Sequence, residues 1–144
     1  MSFLRSLNIP GSSLTAQKFR MEIAAQNMAN AASNAGSRVY AKKTAVLGER
    51  RDYGAFKREY SNAVNEINSY GGVEVKSVTE DASFKVEYDP QNPLADENGY
   101  VKIPNIDTTE EMIEMMLASR AYEANVTAFN AVKQMAEKAL EIGK

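Results

Sequence analysis

The side chains best suited by type to do chemistry are carboxylates: Glu80-Asp81, Asp89 and Asp96-Glu97. Two carboxyl groups can act as general acid and base, but only where burial or a neighbouring charge drives their pKa values apart. All five lie in stretches that read as turns or loops, where nothing suggests such burial. "DENG" at 96–99 begins like a calcium loop, yet the D-x-[DN]-x-[DN]-G spacing and its closing glutamate are missing. "SYGGVEV" at 69–75 lacks the lysine and the spacing of a phosphate loop. The chain has no histidine and no cysteine. That removes the imidazole base, disulfides, and zinc sites built on His or thiolate ligands. The expectation is no catalytic residue, no metal and no cofactor.

What remains is methionine at helical spacing: Met21 and Met28 towards one end, Met112, Met115, Met116 and Met135 towards the other. Methionine and alanine adapt to several neighbours rather than specifying one, which suits a surface that meets other helices. Two elements must carry these residues. In "SSLTAQKFRMEIAAQNMANAA" at 12–32, the spacing puts Leu14, Met21, Ala25 and Met28 on one helical stripe. Pro10-Gly11 reads as a breaker and Ser12 or Ser13 as the N-cap. In "TTEEMIEMMLASRAYEANVTAFNAVKQMAEKALEI", apolar or small residues recur at Met112, Met115, Ala118, Tyr122, Val126, Phe129, Val132, Ala136 and Leu140. Steps of three and four over four heptads are a coiled-coil pattern. Thr108 with Glu111, or Asp107 with Glu110, supplies a capping box, and Gly143 a stop. Such a helix runs about 35 residues, roughly 50 Å, against a mean of about 11–12 residues for globular helices. A small body cannot cover so long a stripe.

Between the helices the periodicity changes. "VYAKKTAVL" at 39–47 reads as a strand. Phe56, Tyr60, Val64 and Ile67 mark a short helix within 55–69, closed by Gly71-Gly72. Period-two alternation over 73–88 predicts two strands around a turn at Thr79–Ala82. Asn98-Gly99 is a further turn signal, followed by a strand at Tyr100–Pro104. Residues 89–107 hold three of the chain's four prolines and read as a stiff return path to the long helix. The expected fold is α+β: terminal helices over 1–35 and 108–144 pairing as a coiled-coil-like inner domain, with a small β-rich middle domain over 36–107.

At 144 residues the chain has the size of one domain. Its formal charge of −2, from 17 basic and 19 acidic residues, argues against nucleic acid and anionic membranes as partners, since both select a basic face. "MSFLRSLNIPGSSLTAQ" lacks the apolar core of a secretory signal, and no stretch approaches the apolar length of a membrane span.

Several blocks resemble a known family. "GSSLTAQKFRMEIAAQNMANA" at 11–31, with Asn27 and Asn30, resembles the N-terminal signature of bacterial flagellar axial proteins. "VYAKK" and "GGVEV" resemble their proximal-rod subset. "YDPQNPLADENGYVKIPNID" at 88–107, carrying Pro90, Pro93, Gly99, Tyr100 and Pro104, and "EMIEMMLASRAYEANVTAFNAVKQM" at 111–135 are similar to that subset at high specificity. The resemblance implies a non-enzymatic rod subunit, exported uncleaved by the flagellar type III apparatus. Its partners would be copies of itself and other rod subunits, its location the basal body in the periplasm. The 50–70 segment, with Arg50, Arg51, Lys57 and Arg58, reads as a variable insertion that meets neighbours. The competing reading is a cytoplasmic coiled-coil adaptor or chaperone, or another axial protein; it explains the helices but not the 88–107 block.

Overall fold

The computed structural model describes residues 3–33, 39–51 and 70–142; the expected 55–69 helix and the Gly143 stop lie outside them. The element order is α1 (Phe3–Asn30), β1 (Lys42–Arg51), β2 (Tyr70–Asp81), β3 (Phe84–Tyr88), β4 (Tyr100–Pro104) and α2 (Thr108–Ile142). Two terminal helices with a small two-sheet β region make an α+β fold. The chain forms two compact units: Met1–Gln17 with Leu47–Lys76 and Arg120–Lys144, and Lys18–Val46 with Ser77–Ser119.

In the first unit, α1 starts earlier than its sequence suggests and runs through Pro10. Proline lacks the N–H that would bond the carbonyl four residues back, so the breaker reading was physically sound. Packing overrides it. Pro10 is buried. Ser12, expected as the cap, instead donates its hydroxyl to Ile9 O at 2.9 Å and accepts the Val73 amide at 3.0 Å. Gly72, at φ +129°, permits this approach, since a Cβ there would come within 2.0 Å of the Ser12 hydroxyl.

In the second unit, β3 and β4 pair antiparallel from Phe84↔Pro104 to Tyr88↔Tyr100. β2 does not turn back on β3 as the alternation suggested. It runs through Thr79–Asp81 and pairs with β1. The chain bends one step later, where Asp81 accepts the Ser83 amide at 2.9 Å. Period two marks strands but not their partners, so this error could not be seen in sequence. The buried apolar side chains of this unit are few among the described residues: Ile23, Ala24, Val101, Pro104, Ile106 and Ala118.

α2 spans 35 residues from Thr108, matching the length read from the heptads. Of the two capping options, Asp107 is the residue used. Its carboxylate accepts the Thr109 amide at 2.8 Å, and its carbonyl accepts the Glu111 amide at 3.1 Å.

Candidate functional site

The most buried side chain of size in the second unit is polar. Asn27, 1% exposed, lies one turn before the end of α1. Its amide nitrogen donates to Lys43 O at 2.8 Å and to Glu111 Oε2 at 2.9 Å. Its amide oxygen accepts Lys43 N–H at 3.0 Å and Tyr40 O–H at 3.2 Å. Every donor and both lone pairs are used. Since Lys43 gives both its backbone groups to this one amide, Asn27 acts as a strand partner where β1 begins.

Glu111, also buried, accepts the Lys42 ammonium at 3.0 Å through its other oxygen; the same ammonium reaches Glu110 at 3.0 Å. Burial works against the Lys42 charge, but the hydrogen bonds and field of Glu110 and Glu111 hold its pKa above the ordinary lysine value. Burial, then the fields of Glu111 and Glu80, push the Tyr40 hydroxyl up as well. Arg20 pairs with Glu114 at 2.5 Å. Together these contacts clasp α1, residues 40–43 and the first turns of α2. Nothing in the clasp offers a reactive group to a substrate: its charges are paired with one another.

The helical faces are arranged oppositely. On α1 the buried side is Ala16, Ile23, Ala24 and Asn27. The stripe read from spacing lies roughly 130° around the helix at 100° per residue; Leu14, Met21 and Met28 are half-buried and Ala25 is exposed. On α2, Glu111, Met115 and Ala118 form the inward side in the second unit, and Tyr122, Val126, Phe129 and Val132 are half-buried in the first. Met112 and Leu140 fall off this side, at 53% and 75% exposed. Met112 belongs instead to a face that the heptad reading did not separate out: Met112, Ile113, Met116 and Leu117, all between 53% and 59% exposed. The signal was present as four apolar residues at i, i+1, i+4 and i+5. The first turns of α2 are therefore apolar on two sides, one packed within the unit and one in water.

The motif residues of the β region shape backbone. Asn30 caps α1, donating to Gln26 O at 2.8 Å while its carbonyl accepts the Ser33 amide and hydroxyl. Pro90 and Pro93 lie in a loop, not a straight strut. Residues 89–99 fold back as the end of the β3–β4 hairpin, closed by Asp89 N–H to Gly99 O at 3.0 Å. Gly99 sits at φ +81° with the Tyr88 ring and Pro90 against it. Tyr100 meets Tyr88 edge-on at 5.3 Å. Pro104 is buried opposite Phe84, and only 105–107 connect it to α2. The carboxylates Asp81, Asp89 and Asp96 each accept the amide two residues on, a turn-forming role. Among the described residues no group of three possible ligands could hold a metal, and no helix is long and apolar enough to cross a membrane.

Residues 97–142 match the family model described as flagellar basal body rod FlgEFG protein C-terminal. Over the whole of both chains, the sequence is 39% identical to the flagellar basal-body rod protein FlgC of Bacillus subtilis. It is 41% identical to that of Salmonella typhimurium and 42% identical to that of Escherichia coli O6:H1, again with both chains fully covered.

Proposed function

Since the chain belongs to the FlgC family of flagellar basal-body rod proteins, we propose that it is a structural subunit of the rod, built to be completed by its neighbours. The observation that carries this is the full-length likeness to relatives of that one name. The uncovered apolar faces of α2 support it physically: a chain that leaves Met112, Ile113, Met116 and Leu117 in water carries an interface, not a finished surface. In this reading residues 1–35 and 108–144 form the inner helical division and 36–107 decorates it. The stripe of Leu14, Met21, Ala25 and Met28, and that of Met115, Tyr122, Val126, Phe129 and Val132, meet other rod subunits and copies of this chain, with Met112 and Leu140 at their margins.

The work of such a subunit is mechanical, and no step of it calls for catalysis. Delivery follows the family's route, through the flagellar export apparatus without cleavage to a periplasmic rod. Mass spectrometry of the chain from purified basal bodies tests that route; loss of an N-terminal leader of 15–30 residues would contradict it.

Val126→Asp tests the seam. Tyr122, Glu123, Phe129 and Asn130 are its same-face neighbours, so no basic group is within one turn. A carboxylate buried there between subunits costs several kcal/mol. In a flagellated strain lacking its own copy, the variant is expected to be exported yet to build no rods and give no motility. Normal rods would remove this stripe from the interface.

A further inference from the structure

β3 and β4 form a two-stranded sheet, so among the described residues β3 has a neighbour on one edge only. All five of its residues are exposed. The register shows which groups face the open edge. Asn105 N–H bonds Ser83 O, and Asp89 N–H bonds Gly99 O. Bonded and non-bonded pairs alternate in an antiparallel ladder, so Lys85↔Ile103 and Glu87↔Val101 are the bonded pairs within the sheet. Phe84, Val86 and Tyr88 therefore turn their N–H and C=O groups outward. Pro104, opposite Phe84, falls where β3 needs no N–H from β4. An edge with free backbone groups, no proline and no bulge is a template for another strand.

The sequence of this edge is complementary to itself. An antiparallel copy centred on Val86 sets Val86 against Val86, Phe84 against Tyr88, and Lys85 against Glu87 twice. The outward-facing residues 84, 86 and 88 meet one another as hydrogen-bonded pairs. The charges fall at the non-bonded positions between them, where side chains approach more closely. A slip of two residues puts Lys85 against Lys85 or Glu87 against Glu87. A slip of one sets outward backbone groups against inward ones. Only the centred register satisfies backbone, aromatic rings and charge together.

We propose that β3 is a two-fold self-association edge whose occupant is β3 of a second copy, giving a four-stranded sheet in the order β4-β3-β3-β4. Two strands alone are marginal in water, and four are not. This contact goes beyond the rod reading and does not rest on it. A rod grows by heterologous contacts that repeat without closing, whereas this one closes on itself. Five residues a side make a small interface, so the pairing is weak and operates where copies are concentrated together.

The chain has no cysteine, which makes crosslinking a clean test. Full-length Val86→Cys, Phe84→Cys and Tyr88→Cys are purified and held at equal concentration under mild oxidant. In the centred register the two copies of position 86 face each other at about 5.5 Å between Cα atoms, within disulfide reach. The two copies of position 84 lie roughly 14 Å apart, as do those of position 88. Val86→Cys is expected to form covalent dimer about tenfold faster than either other variant alone. An equimolar mixture of Phe84→Cys and Tyr88→Cys is expected to react at about half that rate, since half of the random pairings set 84 opposite 88. Adding Glu87→Lys to Val86→Cys sets like charges across the pair and should slow it about tenfold. Equal rates for the three single variants, or indifference to Glu87→Lys, would overturn the proposal.

Discussion

The clasp around Asn27 and the outer face of α2's first turns belong to the same compact unit, and they invert the usual order. The clasp buries an amide, a carboxylate and much of a lysine; the face leaves two methionines, an isoleucine and a leucine about half in water. Burying polar groups is tolerable only where each is satisfied, and among the described residues no buried side-chain polar atom lacks a partner. Exposing apolar groups is tolerable only until something covers them. The clasp is thus complete within one chain, and in the proposed function the face is left for another to complete. A polar clasp fixes geometry, because hydrogen bonds have one arrangement. An apolar face supplies association energy at about 25 cal/mol per Å² of apolar area covered. The first holds α1, β1 and α2 in register; the second is the surface proposed for assembly.

Breaking the clasp is expected to give the largest effect. Asn27→Asp replaces a donor with a carboxylate oxygen, which then faces Lys43 O and the Glu111 carboxylate. Removing one partner from a buried charged cluster costs about 3–5 kcal/mol, read as a shift in the denaturant midpoint of the free chain. Combining it with Glu111→Gln restores a donor between the two side chains and should recover much of the loss. If Asn27→Asp alone costs less than about 1 kcal/mol, the clasp does not hold the unit together.

A smaller effect is expected at the start of α2. The amides of Thr109 and Glu110 hold the Asp107 carboxyl below its ordinary pKa. A group depressed in the folded state adds stability above its unfolded pKa and loses it as pH falls through the folded value. The first turn of α2 should therefore loosen only in acid, below the ordinary carboxylate range. Asp107→Asn keeps an N-cap acceptor and should remove that pH dependence from amide exchange at Thr109 and Glu110. An unchanged profile would assign the acid sensitivity to another group. The smallest effect is the control: Glu137→Ala, an exposed position on α2, should change stability by under about 0.5 kcal/mol and leave rods intact.

The two regions were not equally legible in the sequence. α2 announced itself, because a cap, a heptad repeat and 35 residues without proline agree on one answer. β4 was bounded by Asn98-Gly99 and Pro104 for similarly local reasons. The start of α1 was hidden, since Pro10-Gly11 argues locally for a break and only the contacts of Ser12 and Gly72 with distant residues override it. The clasp was hidden for the same reason. Asn27 stood out as a motif residue, but nothing in its neighbourhood says that its partners are Tyr40, Lys43 and Glu111. Spacing found apolar residues on α1 but could not rank faces: Leu14, Met21 and Met28 stay half-buried, while Ala16, Ile23, Ala24 and the polar Asn27 are what the fold buries. Periodicity alone does not say which apolar face the fold will choose.

In the proposed assembly, neighbouring subunits cover the outer face of α2. Met116→Cys tests it directly, as the label can react at no other cysteine. A thiol reagent is applied to the free chain and to assembled rods, and modification of residue 116 is followed by mass spectrometry. Rapid labelling is expected in the free chain, where Met116 is 59% exposed, and protection in rods. Labelling at the same rate in both would mean that no neighbour covers this face, and would contradict it.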